Sequence, residues 1–138
     1  MYKLNEEKMF YDYADGQAVV INYQTGMYYG MNLLGSAILE RIIAGKDVNE
    51  IIMAVKALPQ CPEDIAERVQ NFVKELQDKE VIVNGPTVVG GAESFANEVA
   101  ADGFDLKLDM FADMADLLLA DPVHDVDLQA GWPKLKEQ

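Results

Sequence analysis

The spacing of apolar residues changes at Asn32, and this change constrains the fold more than any other feature of the sequence. Before Asn32, residues 8–31 contain short β-favouring runs separated by turn residues. After it, apolar residues recur at helical spacing as far as residue 80. Strands followed by helices in one short chain are typical of the α+β class. The sequence therefore predicts an α+β domain with a three-stranded antiparallel sheet followed by three helices.

The strand region is predicted from three runs and two turns. The runs are residues 9–13, 18–23 and 27–31, which are rich in aromatic and β-branched side chains. Gly16 lies in the first turn and Gly26 in the second, and short Gly-containing loops between β-favouring runs are typical of hairpins. We therefore expect a meander of three strands.

The helix boundaries are predicted from caps and breakers. Asn32 is a good N-cap for the first helix, and Gly45 ends it. Asp47 and Glu50 have the spacing of a capping box for the second helix, which Pro59 ends. The third helix begins near Pro62 and carries an apolar stripe of Ile65, Val69, Phe72, Val73 and Leu76.

The domain organisation follows from the run Asn84-Gly85-Pro86, which comes directly after a short apolar strand at residues 81–83. We expect a first domain over residues 1–85 and a Gly- and Ala-rich linker over 86–105, with a short helical piece near Phe95. From Leu106 the apolar residues fit an amphipathic helix, so residues 106–138 are predicted to form an acidic helix and tail. The stripe comprises Leu106, Met110, Met114, Leu117 and Leu118.

The net charge of −13 argues against a nucleic-acid partner. The third helix, the element that would enter a groove of DNA, carries six acidic and three basic residues over 62–80. No apolar run is long enough to span a membrane, and the N-terminus has no signal-peptide core. With one cysteine there is no internal disulfide, so we expect a cytoplasmic protein.

The sequence offers little from which to build a catalytic site. Cys61 would need a nearby base, and His124 is the only histidine in the chain. The acids around His124 do not have the order of a calcium-binding loop, and no phosphate-binding or nucleophile motif occurs. We therefore expect no enzyme activity, no catalytic residue, no metal and no cofactor.

The third predicted strand is the best candidate for a binding surface. It has a large apolar and aromatic load in Met27, Tyr28, Tyr29 and Met31. If it is an edge strand, its unpaired backbone groups can accept an extended peptide as an added strand. Alternate side chains point to opposite faces, so one set fills the core and the other can form a groove wall with the third helix.

The stretch Tyr28-Tyr29-Gly30-Met31-Asn32-Leu33-Leu34-Gly35-Ser36-Ala37-Ile38-Leu39-Glu40 resembles the PqqD family. Members share tyrosine, a spacer, leucine, asparagine, two variable residues, glycine, two variable residues and isoleucine between strand three and helix one. Met31 stands where leucine is commoner, and Leu39 where tryptophan is frequent. The order of elements also agrees, so the resemblance covers residues 5–85 and implies a winged helix-turn-helix-like fold.

The resemblance implies a function as well as a fold. Such proteins are RiPP recognition elements, which bind the leader of a ribosomally made precursor peptide and deliver it to a radical SAM protein, a cyclase or a protease. In the family the leader adds as a strand beside strand three and lies against helix three. Carried over, this implies a site that comprises Met27, Tyr29, Met31, Arg68, Val69, Phe72 and Leu76.

Two questions stay open at this point: the function of the fold and the role of residues 86–138. The same fold could serve a regulatory or structural protein that forms a homodimer through its edge strand. The segment 86–138 exceeds the minimal family pattern, and three uses are open for it: packing on its own domain, docking the modifying enzyme, or occupying the leader groove when no leader is present.

Overall fold

A computed structural model describes residues 1–88 and 94–112 of the 138-residue chain. Within these ranges it contains three helices, two antiparallel sheets and one 3-10 turn. The predicted α+β class with three helices is confirmed. The strands are β1 Tyr2–Leu4, β2 Met9–Ala14, β3 Gln17–Asn22, β4 Tyr28–Gly30, β5 Ile82–Asn84 and β6 Asp109–Phe111.

The main sheet contains the predicted meander and one further strand. Its order is β2-β3-β4-β6, and every neighbouring pair is antiparallel. The predicted three strands correspond to β2, β3 and β4. The fourth strand, β6, comes from the far end of the described chain and covers the outer edge of β4. The predicted count of three strands is therefore too small, because a segment beyond residue 86 completes the sheet.

A second, two-stranded sheet pairs β1 with β5. The predicted short strand after the third helix is present as β5, and its partner Tyr2–Leu4 was not predicted to be a strand. The amino group of Met1 also donates hydrogen bonds to the carbonyl oxygens of Gly45 and Pro86, at 3.1 and 2.8 Å. These contacts attach the N-terminus to the helical part of the domain.

The helices are α1 Leu33–Ile43, α2 Val48–Lys56 and α3 Ile65–Asp78. Asn32 caps α1 as predicted, since its side-chain oxygen accepts a hydrogen bond from the Gly35 N–H at 2.8 Å. Gly45 follows the end of α1 with a φ of +91°, a left-handed conformation that favours glycine. Asp47 caps α2 through the Asn49 N–H, while Asp64 makes no side-chain cap at the start of α3.

One buried core joins the helices to the inner face of the main sheet. Val20, Ile38, Ile51 and Phe72, contributed by β3 and each of the three helices, have no exposed surface. Ser36 on α1 is also fully buried, and its hydroxyl oxygen accepts a hydrogen bond from the Ala18 N–H at 2.8 Å. This bond joins α1 to β3, because Ser36 belongs to α1 and Ala18 belongs to β3.

Residues 94–105 were predicted to form a linker, but the structure packs them against α1. The Phe95 side chain is buried, and the Arg41 guanidinium lies 3.9 Å from the centre of its ring. A 3-10 turn over Asn97–Ala100 follows, close to the predicted helical piece near Phe95. The apolar Phe95 side chain explains the difference, since a linker would leave it in water.

The predicted amphipathic helix from Leu106 is wrong for the residues that the structure describes. Residues 106–108 are extended and Asp109–Phe111 form β6. Leu106 and Met110 are spaced for one face of a helix, but they are also two strand periods apart, so they fit either structure. The rest of the predicted helix and His124 fall in residues 113–138, outside the described ranges.

Candidate functional site: the edge of strand β4

The candidate site lies between β4 and α3, and a segment of the same chain occupies it. We call residues 104–111 the groove segment. Its strand β6 pairs with β4, so that Tyr28 lies opposite Phe111, Tyr29 opposite Met110 and Gly30 opposite Asp109. On its other side the groove segment contacts polar side chains of α3. The arrangement is an antiparallel strand added to an edge strand and held against a helix.

Three side chains of the groove hold the backbone of the segment. The Asn32 side-chain amide donates to the Asp105 carbonyl oxygen at 3.0 Å, and Arg68 donates to the Phe104 carbonyl oxygen at 3.2 Å. Glu75 accepts a hydrogen bond from the Leu108 N–H at 3.2 Å. All three hydrogen bonds are to backbone groups of the segment, so they do not depend on which side chains the segment carries.

Arg68 is oriented by Asp64, the residue directly before α3. Its Nε lies 3.0 Å from the Asp64 carboxylate, one turn earlier, while its Nη1 reaches the groove segment. Both side chains are about half exposed, so we expect the ion pair itself to contribute little to the stability of the domain. Its contribution is to orient the guanidinium, whose Nη1 donates to the Phe104 carbonyl oxygen.

The side chains of residues 104–108 in the groove segment alternate between the domain and solvent. Phe104, Leu106 and Leu108 are partly buried against the hydrophobic core, whereas Asp105 and Lys107 are exposed. This is the period of a strand with one face on a core. The apolar side chains therefore enter the groove while the charged ones stay in water.

The structure divides the predicted site residues into two groups. Tyr29 and Met31 are buried, as are Val69, Phe72 and Leu76 on α3, and all five belong to the core cluster against which the groove segment packs. Met27 and Tyr28 are partly exposed. Arg68 is the predicted residue whose side chain donates a hydrogen bond to the segment, while β4 pairs with the segment through its backbone. The core and the groove wall are thus formed by the same short elements.

Two residues that contact the segment were not predicted. Asn32 was predicted only as a helix cap, and it performs both roles, since its oxygen caps α1 and its nitrogen holds Asp105. Glu75 was considered only as one of the acidic residues that make the third helix negatively charged. For Glu75 a signal existed in the helical spacing, since it lies seven residues after Arg68 and so about two turns further along the same face.

Cys61 does not have the setting of a nucleophile. Burial raises the pKa of its thiol, against a smaller opposing effect of Lys56 and Arg68, so the reactive thiolate is disfavoured. Its sulfur donates a weak hydrogen bond to the Pro62 carbonyl oxygen at 3.6 Å. Residues 1–88 and 94–112 contain no group of three potential metal ligands. Within the same ranges, no helix is long and apolar enough to cross a membrane.

The part of the chain that forms this edge resembles a known family. Residues 17–82 match the model of the family described as coenzyme PQQ synthesis protein D, PqqD. The chain carries a PqqD-like domain. No curated protein matches the chain. The match spans the strands β3 and β4 and all three helices, so it includes both walls of the groove.

A solved structure of similar fold comes from a complex. It is described as TbiB1 in complex with the TbiA(beta) leader peptide, and it shares 27% sequence identity with this chain at a TM-score of 0.52. The alignment covers 60% of this chain and 96% of the TbiB1 chain. Together with the family match, this confirms the prediction of a PqqD-like domain that is not itself an enzyme.

Proposed function

We propose that this PqqD-like domain binds the leader of a ribosomally synthesised precursor peptide and presents it to a modifying enzyme in natural product biosynthesis. The observation that carries the proposal is the edge of β4, which accepts an antiparallel strand in the groove against α3. An edge strand with a groove beside it is a recognised peptide-binding arrangement. The leader complex of the TbiB1 relative supports the same function.

The mechanism is strand addition. Backbone hydrogen bonds to β4 supply part of the affinity, with a net contribution of about 0.5–1.5 kcal/mol each. Arg68, Asn32 and Glu75 hold further backbone groups, and apolar side chains of the leader enter between them. Since the leader must become ordered, we expect a dissociation constant in the micromolar to submicromolar range. This corresponds to a binding free energy of about −8 to −9 kcal/mol.

The modifying enzyme would receive the leader as part of a complex. A radical SAM protein, a cyclase or a protease fits this role, and the cytoplasm is the expected location because the precursor is made there. Selectivity for one leader would come from the side chains that enter the groove, since the backbone contacts are available to any extended peptide.

Titration calorimetry with leader peptides encoded beside the gene tests the proposal. We expect at least one to bind in the micromolar range. Arg68→Met is the matching variant once the groove segment has been displaced from the groove, because it then removes a donor that the leader would use without creating a cavity in the core. Lys74→Met is the control, since Lys74 is an exposed cation on the same helix. If no leader from the locus binds at tens of micromolar, the proposal is wrong.

Dimerisation through the same edge is the alternative function. Among the described residues, the outer edge of β4 is already paired with β6, so a dimer formed there would have to displace this strand. Light scattering separates the two functions. A tight dimer that dissociates when β4 is altered would favour dimerisation over leader binding.

A further inference from the structure

We propose that the groove segment is a built-in competitor for the peptide site, so that a leader binds only by displacing residues 104–111 of this chain. The inference rests on the proposed function, because it concerns the same groove. It also predicts the chemistry of the leader, which should place apolar side chains at alternate positions, as Phe104, Leu106 and Leu108 do.

The first step of the argument is that the groove segment uses the contacts that a leader needs. It takes the free edge of β4 as an antiparallel strand. Asn32, Arg68 and Glu75 form hydrogen bonds with its carbonyl and N–H groups. A groove that holds one peptide through its backbone can hold another in the same way, and the two cannot be present together.

The second step is that the groove segment is held less firmly than the core. Phe104, Leu106 and Leu108 are only partly buried, and Met110 is 52% exposed although it lies opposite the buried Tyr29. Among the residues that the structure describes, its ion pair joins Lys107 to Asp109 at 3.8 Å between exposed side chains. Segments with such partial burial open locally at a smaller free-energy cost than buried elements.

The third step is that the chain has an anchor and a hinge directly before the segment. Phe95 is buried and stacks with Arg41, so residues 94–100 can stay attached to α1. Gly103 has a φ of +94°, and a Cβ placed there would touch nothing within 4 Å. Rotation at this glycine would release residues 104–111 without disturbing the buried anchor.

The anchor also explains why a short strand can compete. Because the segment is tethered close to its site, it re-binds as an intramolecular ligand at an effective concentration in the millimolar range. The apparent affinity of a leader is then reduced by the fraction of molecules whose groove is open. Precursor peptides of low affinity would be excluded from the groove, while a leader of high affinity would still bind.

The test uses the full-length protein and a fluorescein-labelled synthetic peptide that copies residues 103–112, GFDLKLDMFA. The variant Leu106→Asn with Leu108→Asn alters the inward face of the groove segment. The control Lys107→Asn with Asp109→Asn alters the outward face. Both pairs introduce two asparagines in the same stretch and leave the net charge unchanged.

Fluorescence anisotropy should show the inward-face variant binding the labelled peptide at least about tenfold more tightly than the wild type, and the control variant binding like the wild type. Circular dichroism should show that both variants are folded. If the inward-face variant is folded and gains no affinity, the inference is wrong. If that variant does not fold, the segment is a permanent part of the core, and the inference is again wrong.

Binding of a leader encoded beside the gene, measured with the wild type and with the inward-face variant, distinguishes this inference from the proposed function. If the leader binds the wild type and the inward-face variant equally, leader binding stands and competition fails. If the copied peptide binds the variant tightly but no leader binds either protein, the function fails and the competition for the groove stands.

Discussion

The helical core and the groove segment both direct apolar side chains toward the inside of the domain, but they differ in how completely those side chains are buried. In the core, Ile38, Ile51 and Val69 have no exposed surface. In the groove segment, Leu106 and Leu108 are partly buried. The difference separates what is needed for folding from what can be exchanged, since only side chains with residual exposure can leave their site at a modest cost.

The largest expected effect tests this contrast directly. Phe72→Ala should lower the free energy of unfolding by about 3–5 kcal/mol, because it leaves a cavity in the fully buried core. Leu106→Ala should cost only about 1 kcal/mol, since its side chain gives up less contact with the protein. Urea denaturation of both variants measures the difference, and equal losses would show that the groove segment is as essential as the core.

A second prediction concerns the bond that joins the two layers of the core. Ser36→Ala removes the acceptor of the buried Ala18 N–H and should cost about 1–3 kcal/mol. Ser94→Ala is the control, because Ser94 is exposed and holds Arg41 only through its backbone oxygen. Thermal unfolding of the two variants is the measurement, and a neutral Ser36→Ala would mean that the N–H finds another partner.

The sequence was sufficient to predict the helices of the core, because the residues that set the ends of a helix act on their own neighbourhood. Asn32 and Gly45 set the ends of α1 through their own capping chemistry. The sequence was insufficient for the groove segment, since Leu106 and Met110 fit a helix or a strand equally well. Only pairing with β4, more than 70 residues earlier, decides for a strand. The same holds for Glu75, whose role depends on the backbone N–H that the fold brings to it.

A third prediction concerns Arg68, whose hydrogen bond the leader and the groove segment would share. In the inward-face variant, Arg68→Met should weaken leader binding about tenfold, roughly 1.4 kcal/mol. In the wild type the same substitution should change it by less than about threefold, because the competitor loses the same hydrogen bond to Phe104. A double-mutant cycle by calorimetry measures this. Equal losses in both backgrounds would contradict a shared contact.

The smallest expected effect lies on β2, at the opposite edge of the main sheet. The Tyr11 hydroxyl is buried and has no hydrogen-bond partner among the residues that the structure describes, and burial raises its pKa to about 12. Because the folded state disfavours the phenolate, stability should be retained below pH 10 and decline as the pH rises toward 12. Tyr11→Phe should reduce this decline.

At neutral pH, Tyr11→Phe should be neutral or stabilise the fold by up to about 1 kcal/mol, since a buried hydroxyl without a partner is costly. Tyr13→Phe is the control, with a change within about 0.5 kcal/mol because its side chain is 38% exposed. Urea denaturation at pH 7 and pH 11 measures both effects. A clear loss of stability in Tyr11→Phe at pH 7 would indicate a partner for the hydroxyl.

The most direct test of the account is an NMR measurement on the full-length protein before and after saturation with a leader from its own locus. Without leader, we predict cross-strand NOEs between β4 and β6, including those that join Tyr29 to Met110. With leader bound, these NOEs should disappear and be replaced by intermolecular NOEs from the leader to Tyr29. If a bound leader leaves the NOEs between β4 and β6 intact, the leader binds elsewhere and the account is wrong.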